Sequence, residues 1–177
     1  PVATLHRCDG DGKNVRMISA NIEHDNTPWV LPDGRVLFMR WEYVDRNQFA
    51  FHHLWTINPD GTGQMVFYGN QFDGTVMLDA KPIPGGNLVV ASISPGHGVP
   101  EHMGSITIID PSLGPDESKA ARQVSQGKRL FRDPYPINEN CFLVADKAGL
   151  WVMDGHGNVE IIYEAKAGLP GLDCHEP

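Results

Sequence analysis

Apolar residues fall in short runs of four or five along the chain, at residues 36–39, 54–57, 64–68, 88–91, 106–109, 141–144, 150–153 and 159–163, with a more polar strand-like stretch at 122–125. None continues at the three- and four-residue spacing of an amphipathic helix, and most are rich in Val, Ile, Phe, Trp or Tyr, which suit a pleated surface. Between them stand words such as Pro32-Asp33-Gly34, Pro59-Asp60-Gly61, Gly85-Gly86-Asn87 and Asp154-Gly155-His156-Gly157. Gly and Asn accept positive φ at little cost, so these words predict tight turns between antiparallel strands. The N-terminus carries a further pair of runs, residues 4–8 and 15–18, around Asp9-Gly10-Asp11-Gly12. Helical composition is confined to residues 115–122, enough for one or two turns between strands.

The runs are organised by a repeat. Asp-x-x-Pro occurs at Asp25-Asn26-Thr27-Pro28, Asp79-Ala80-Lys81-Pro82 and Asp133-Pro134-Tyr135-Pro136, so that 25 to 79 and 79 to 133 are each 54 residues. Each copy leads into a turn, an apolar run and a second hairpin. Four short strands per unit is the pattern of a β-propeller blade. The fold class expected is therefore all-β, a single partial β-propeller domain of about three and a half four-stranded antiparallel blades. Its divisions are a half blade over 1–23, blades over 24–77, 78–131 and 132–172, and the start of a next blade at 173–177. Propellers generally close with 4 to 8 blades. The expected partners are accordingly the remaining blades or domains of a parent protein, or a second copy closing the ring.

Composition narrows the chemistry. Lys and Arg number 14 against 22 Asp and Glu among 177 residues, a net charge of −8, which disfavours nucleic acid or an anionic membrane as the main partner. No apolar run approaches the roughly 18 residues of a membrane span. Cys8, Cys141 and Cys174 stand far apart and form no CxxC, so neither a disulfide framework nor a zinc knuckle is expected. The chain opens Pro1-Val2-Ala3, without signal peptide or initiator Met, and is expected to be a processed or excised piece.

Blade topology would gather one set of loops on one face, and three groups there are candidates. Asp25, Asp79 and Asp133 begin the inner strands and would ring the central channel, a carboxylate set suited to Ca²⁺; the competing reading is that each accepts amides within its own turn. His97, Glu101 and His102, completed by His24 or His175, could supply imidazole and carboxylate to Zn²⁺ or another transition metal; the competing reading is a solvated polar loop. Arg40, Trp41, Glu42 and Tyr43, with Lys81, Arg132 and Tyr135 beside the aspartates, combine guanidinium forks and aromatic area suited to a bound ligand; the competing reading is a salt-bridged hairpin packed on its neighbour. No G-x-S-x-G elbow marks a catalytic nucleophile.

The words LPDGRVLFMR, LWTINPDGTG and CDGDGKNVRMIS resemble the repeats of TolB-type propellers. Over nearly the whole chain, HDNTPWVLPDGRVLFMRWEYVDR, LDAKPIPGGNLVVASISPGHG, EHMGSITIIDP and DCHEP resemble the propeller domain of proteins related to the hydrazine synthase alpha subunit. That resemblance implies an exported, multi-domain bacterial protein, periplasmic or extracellular, several of whose relatives carry c-type haem in flanking domains. This chain departs from haem attachment: Gly171 stands where a CxxCH ending in Cys174-His175 would need its first cysteine. No cofactor is expected within the chain beyond a possible Ca²⁺ or Zn²⁺. The function expected is a non-catalytic scaffold or binding module; the alternative is a metal-dependent enzyme, lyase or redox, with a His-rich active-site face.

Overall fold

A computed structural model describes residues 2–96, 103–165 and 174–177. The described residues form β1 (His6–Arg7), β2 (Arg16–Met17), β3 (His24–Val30), β4 (Val36–Trp41), β5 (Phe51–Ile57), β6 (Met65–Tyr68), β7 (Thr75–Pro82), β8 (Val89–Ser94), β9 (Ser105–Ile109), β10 (Ala121–Gln123), β11 (Arg132–Asn138), β12 (Cys141–Asp146), β13 (Gly149–Asp154) and β14 (Val159–Glu164). Among the described residues helix is limited to two 3₁₀ turns, Pro111–Leu113 and Ser118–Ala120, the second inside the stretch whose composition is helical.

Antiparallel neighbours in sequence are neighbours in space. β3, β4, β5 and β6 form one meander, β7 to β10 a second and β11 to β14 a third, while β1 and β2 pair alone. The turn words act as their chemistry requires: Gly34 takes φ 88° where β3 turns into β4, and the Leu31 amide donates to the Arg35 carbonyl at 2.8 Å. A short parallel pairing, Phe51 with Thr75 and His52 with Val76, joins the first two meanders into one eight-stranded sheet. The corresponding link between the second and third is the bridge of Gly104 to Phe131, with both amide–carbonyl bonds made at 2.8 and 2.9 Å. No sheet of the described residues closes on itself.

Central strands are buried on both faces, and alternation sends successive side chains into different cores. On β4, Leu37 packs with Leu54, Met77 and Ile109 between the first and second meanders, while Phe38 faces the other way onto Leu5 and Ile57. On β8, Val89 and Ala91 join the first core, and Val90 joins Ile106, Phe131, Phe142 and Val144 between the second and third. Leu37, Phe38, Val90 and Phe142 are fully buried.

The N-terminal hairpin repeats the outer half of the second meander. The Leu5 amide donates to Ser19 Oγ at 2.9 Å and the Ile18 amide to the Leu5 carbonyl at 2.9 Å. The Ile106 amide donates to Ser125 Oγ at 3.0 Å and the Val124 amide to the Ile106 carbonyl at 2.7 Å. By these bonds β1 stands where β9 stands and β2 where β10 stands, each closed by a buried serine.

Candidate functional site

The first strand of each meander carries a bulge at the same place. Thr27-Pro28 lie opposite Phe38, Asp79-Ala80 opposite Ala91 and Asp133-Pro134 opposite Val144, two residues against one each time. The first residue of each is left-handed, with φ 48° at Thr27, 54° at Asp79 and 51° at Asp133, and Glu176, before Pro177, repeats it at 46°. A bulge bends its strand and re-aims the side chain it carries. Left-handed backbone in non-glycine residues costs on the order of 1–3 kcal/mol each and concentrates at functional positions.

These four positions make a layer. Carboxylate oxygens of Asp79, Asp133 and Glu176 all lie within 4.8 Å of one another, one such cluster among the described residues. Asp133 is nearly buried and accepts from the Glu176 amide at 3.2 Å and from His175 Nδ1 at 3.1 Å. His175 Nε2 lies 2.7 Å from Arg132 Nη1. A guanidinium only donates, so Nε2 is the acceptor and Nδ1 carries the proton given to Asp133. Thr27 Oγ1, shut away from solvent, has no hydrogen-bond partner. Thr27, Asp79, Asp133, Arg132 and His175 line a cavity of about 420 Å³.

Electrostatics follow from that crowding. Burial pushes the Asp79 carboxyl up to about 7, helped by the neighbouring charge of Asp133, the hydrogen bond between the two carboxyls and Glu176, while Lys81 opposes the shift. Near neutral pH the Asp79 carboxyl is therefore still partly protonated. Two residues further along each strand a second layer forms from Trp29, Lys81 and Tyr135, the first pairs after the bulges. Lys81 is 4% exposed; its Nζ lies 4.0 Å from Glu176 Oε2 and 5.1 Å from the Trp29 ring centroid. Trp29 and Tyr135, 40% and 41% exposed, meet edge to face at 6.4 Å. The layer offers oxygen ligands to a hard cation, since two oxygens on one Ca²⁺ at 2.3–2.6 Å stand no more than about 5 Å apart.

The sequence-derived candidates are thus regrouped. Asp79 and Asp133 come together; Asp25 does not join them, because the bulge gives its place in the layer to Thr27. The Asp25 carboxylate is instead buried against Arg40, with Nε to Oδ1 at 2.8 Å and Nη2 to Oδ2 at 3.2 Å. Lys81, Arg132 and Tyr135 lie beside the acidic layer. Arg40, Trp41, Glu42 and Tyr43 are engaged within their own hairpin: Trp41 Nε1 donates to the Gln48 carbonyl at 2.8 Å, Tyr43 N to Glu23 Oε2 at 3.1 Å, and Glu42 pairs with Arg46, whose guanidinium covers the Phe51 ring at 3.9 Å. His97, Glu101 and His102 lie outside the described residues. His24 accepts from the Ala3 amide through Nδ1 at 3.0 Å and stacks on Trp41 at 5.4 Å, and both nitrogens of His175 are committed as above. His53 is fully buried, and that burial, with Arg46 adding, lowers it to about 4. Glu176, Thr27 and Trp29 escaped the sequence reading. A residue directly before proline at Thr27, Asp133 and Glu176 was the signal that could have found the first two.

These features define an all-β protein of repeated antiparallel meanders with an acidic layer at the convergence of its first strands. The chain is similar in fold to Kuenenia stuttgartiensis hydrazine synthase, with a TM-score of 0.69 and 21% sequence identity over 85% of this chain. It spans 21% of that chain's length. No family model matches the sequence, and no curated protein does.

Proposed function

We propose that this chain is part of a β-propeller, a half blade and three four-stranded blades with TolB-like repeats, serving as a non-catalytic binding platform in a larger exported protein related to the hydrazine synthase alpha subunit. On this reading it works in the periplasm or outside the cell, held by further blades or domains of its parent. The meanders of four strands, the fold likeness and the one-fifth coverage of the neighbouring chain support it. No helix among the described residues is long and apolar enough to cross a membrane.

The observation that carries the reading is the convergence of Asp79 on β7, Asp133 on β11 and Glu176 of the C-terminal residues onto one point. Their backbone is strained in the same way, and Thr27 Oγ1 waits beside them without a partner. Such a layer binds a divalent cation through oxygen, with Ca²⁺ favoured over softer ions because carboxylate and hydroxyl are hard donors. Calorimetric titration with CaCl₂ after exhaustive dialysis tests this. One ion per chain, lost in Asp133→Asn/Glu176→Gln, is expected; no heat of binding in the parent chain removes the cation role.

The alternative, a metal-dependent enzyme, is favoured by the His175–Asp133 hydrogen bond, which sets an imidazole beside paired carboxylates. Elemental analysis separates the two: stoichiometric zinc that disappears in His97→Ala/His102→Ala would support the enzyme, and calcium alone the platform.

A further inference from the structure

The layer next to the acids departs from the repeat at one place. Its three positions, Trp29 on β3, Lys81 on β7 and Tyr135 on β11, are the first pairs after equivalent bulges. Two hold aromatic rings that are 40% and 41% exposed, and the third holds a lysine that is 4% exposed. A buried ammonium is costly unless its charge is matched and its N–H donors are taken up. Lys81 has little of either. Among the described residues Nζ donates no hydrogen bond, and its ion pair, to Glu176 Oε2, stands at 4.0 Å, beyond hydrogen-bond reach. The Trp29 ring centroid, 5.1 Å from Nζ, supplies a cation–π contact. The rest of what holds the charge inside is the field of Asp79, Asp133 and Glu176, whose oxygens gather within 4.8 Å of one another. Asp79 feels the lysine in return, since Lys81 opposes the effect of burial on its carboxyl.

We propose that Lys81 is a tethered counter-ion of the acidic layer, which neutralises the carboxylates on its own and which a divalent cation must displace in order to bind. An ion bonded to Glu176 Oε2 at about 2.3–2.6 Å, the range of calcium, would lie no more than about 6.6 Å from Nζ. That is closer than the roughly 8–10 Å over which salt screens a charge, and the lysine is shut away from water, so the two cations repel across it. Lys81 brings one positive charge and calcium two, so the exchange favours divalent over monovalent ions. Lys81 thereby sets the concentration at which the layer fills. Its flexible stem lets the ammonium move along the Trp29 face, toward the exposed side of Trp29 and Tyr135, without a change of backbone. The inference rests on the cation reading of this layer, and adds that the affinity is held down from within the fold.

The test is calorimetric titration of the whole chain with CaCl₂ in metal-free buffer, the parent beside Lys81→Met, whose unbranched side chain fills the buried space without the charge. Lys81→Gln, which removes the charge and keeps a polar end, is measured as well, so the result does not hang on one variant's folding. Calcium affinity at least about tenfold higher in the variants than in the parent is expected. Equal or weaker binding in both variants overturns the proposal and leaves the cation reading standing. Binding in the variants with none in the parent supports the proposal and removes the cation role of the native layer. No binding in parent or variants overturns both. Where the parent binds calcium, a readout without any substitution is the labelling of its lysines by an amine reagent, followed by mass spectrometry. Lys81 should gain label on addition of CaCl₂ while Lys13, whose side chain is 78% exposed, serves as the constant reference. Labelling of Lys81 that stays unchanged or falls overturns its displacement.

Discussion

Asp25 and Arg40 illustrate what burial does to a charged pair. Both side chains are almost fully enclosed, and two hydrogen bonds link them across neighbouring strands. Arg40→Ala strands a buried carboxylate and is expected to cost about 3–5 kcal/mol in chemical denaturation, whereas Asp25→Leu/Arg40→Met should recover most of that loss. Asp79 behaves in the opposite sense, because its environment favours the acid form. Its folded value of about 7 stands above the ordinary 3.8, so between these the folded state holds a proton the unfolded chain has released. Stability therefore falls as pH rises through that window and stays lower above it. Asp79→Asn, which tolerates the left-handed backbone, should raise stability at pH 8 by on the order of 1–3 kcal/mol and change it little at pH 4. An unchanged melting difference between the two pH values would remove the raised Asp79 value. The acidic layer was half legible in the sequence. Asp79 and Asp133 are spaced by the repeat, but Asp25 has the same spacing and a different fate, because the bulge of its strand falls two residues later, at Thr27.

At the scale of elements, turns carry the fold's local instructions and serines close its edges. Ser19 and Ser125 are both buried and each accepts a strand amide. Ser19→Ala and Ser125→Ala should each destabilise by about 1–3 kcal/mol, the cost of an orphaned buried donor. Similar losses in the two, measured by urea unfolding, would confirm that the N-terminal hairpin and β9–β10 are the same element; a neutral Ser19→Ala would separate them. Gly104 holds the second and third meanders together through Phe131, and an added Cβ there would collide with the Ile93 backbone. Gly104→Ala should cost about 1–3 kcal/mol through overpacking at this joint, read from the thermal midpoint. Strand identities, hairpin turns and the short helical turn at Ser118–Ala120 were readable because each depends on a handful of adjacent residues. The parallel pairing of β5 with β7 was not, since nothing in residues 51–76 marks it apart from their meeting in space.

Across the described residues, four buried apolar clusters lie between successive layers, and β7, β11 and the C-terminal residues bring their acids together. A cation there would link stability to its concentration, because it binds the folded layer and not the dispersed carboxylates. Millimolar Ca²⁺ should raise the thermal midpoint of the parent chain and leave that of Asp133→Asn/Glu176→Gln unmoved; equal shifts in both would assign the effect to surface charge, which at −8 is considerable. The alternation of apolar and polar residues, the turn words and the 54-residue repeat determined by themselves that this chain is built of antiparallel hairpins, since side-chain period and turn geometry are local properties. Only the tertiary structure decided that Asp79 and Asp133 crowd together, that Asp25 belongs to Arg40 and that Glu176 from the far end joins Asp79 and Asp133. Those outcomes depend on bulge register and on packing between residues far apart in sequence, where a displacement of two positions exchanges a place in the acidic layer for a buried ion pair.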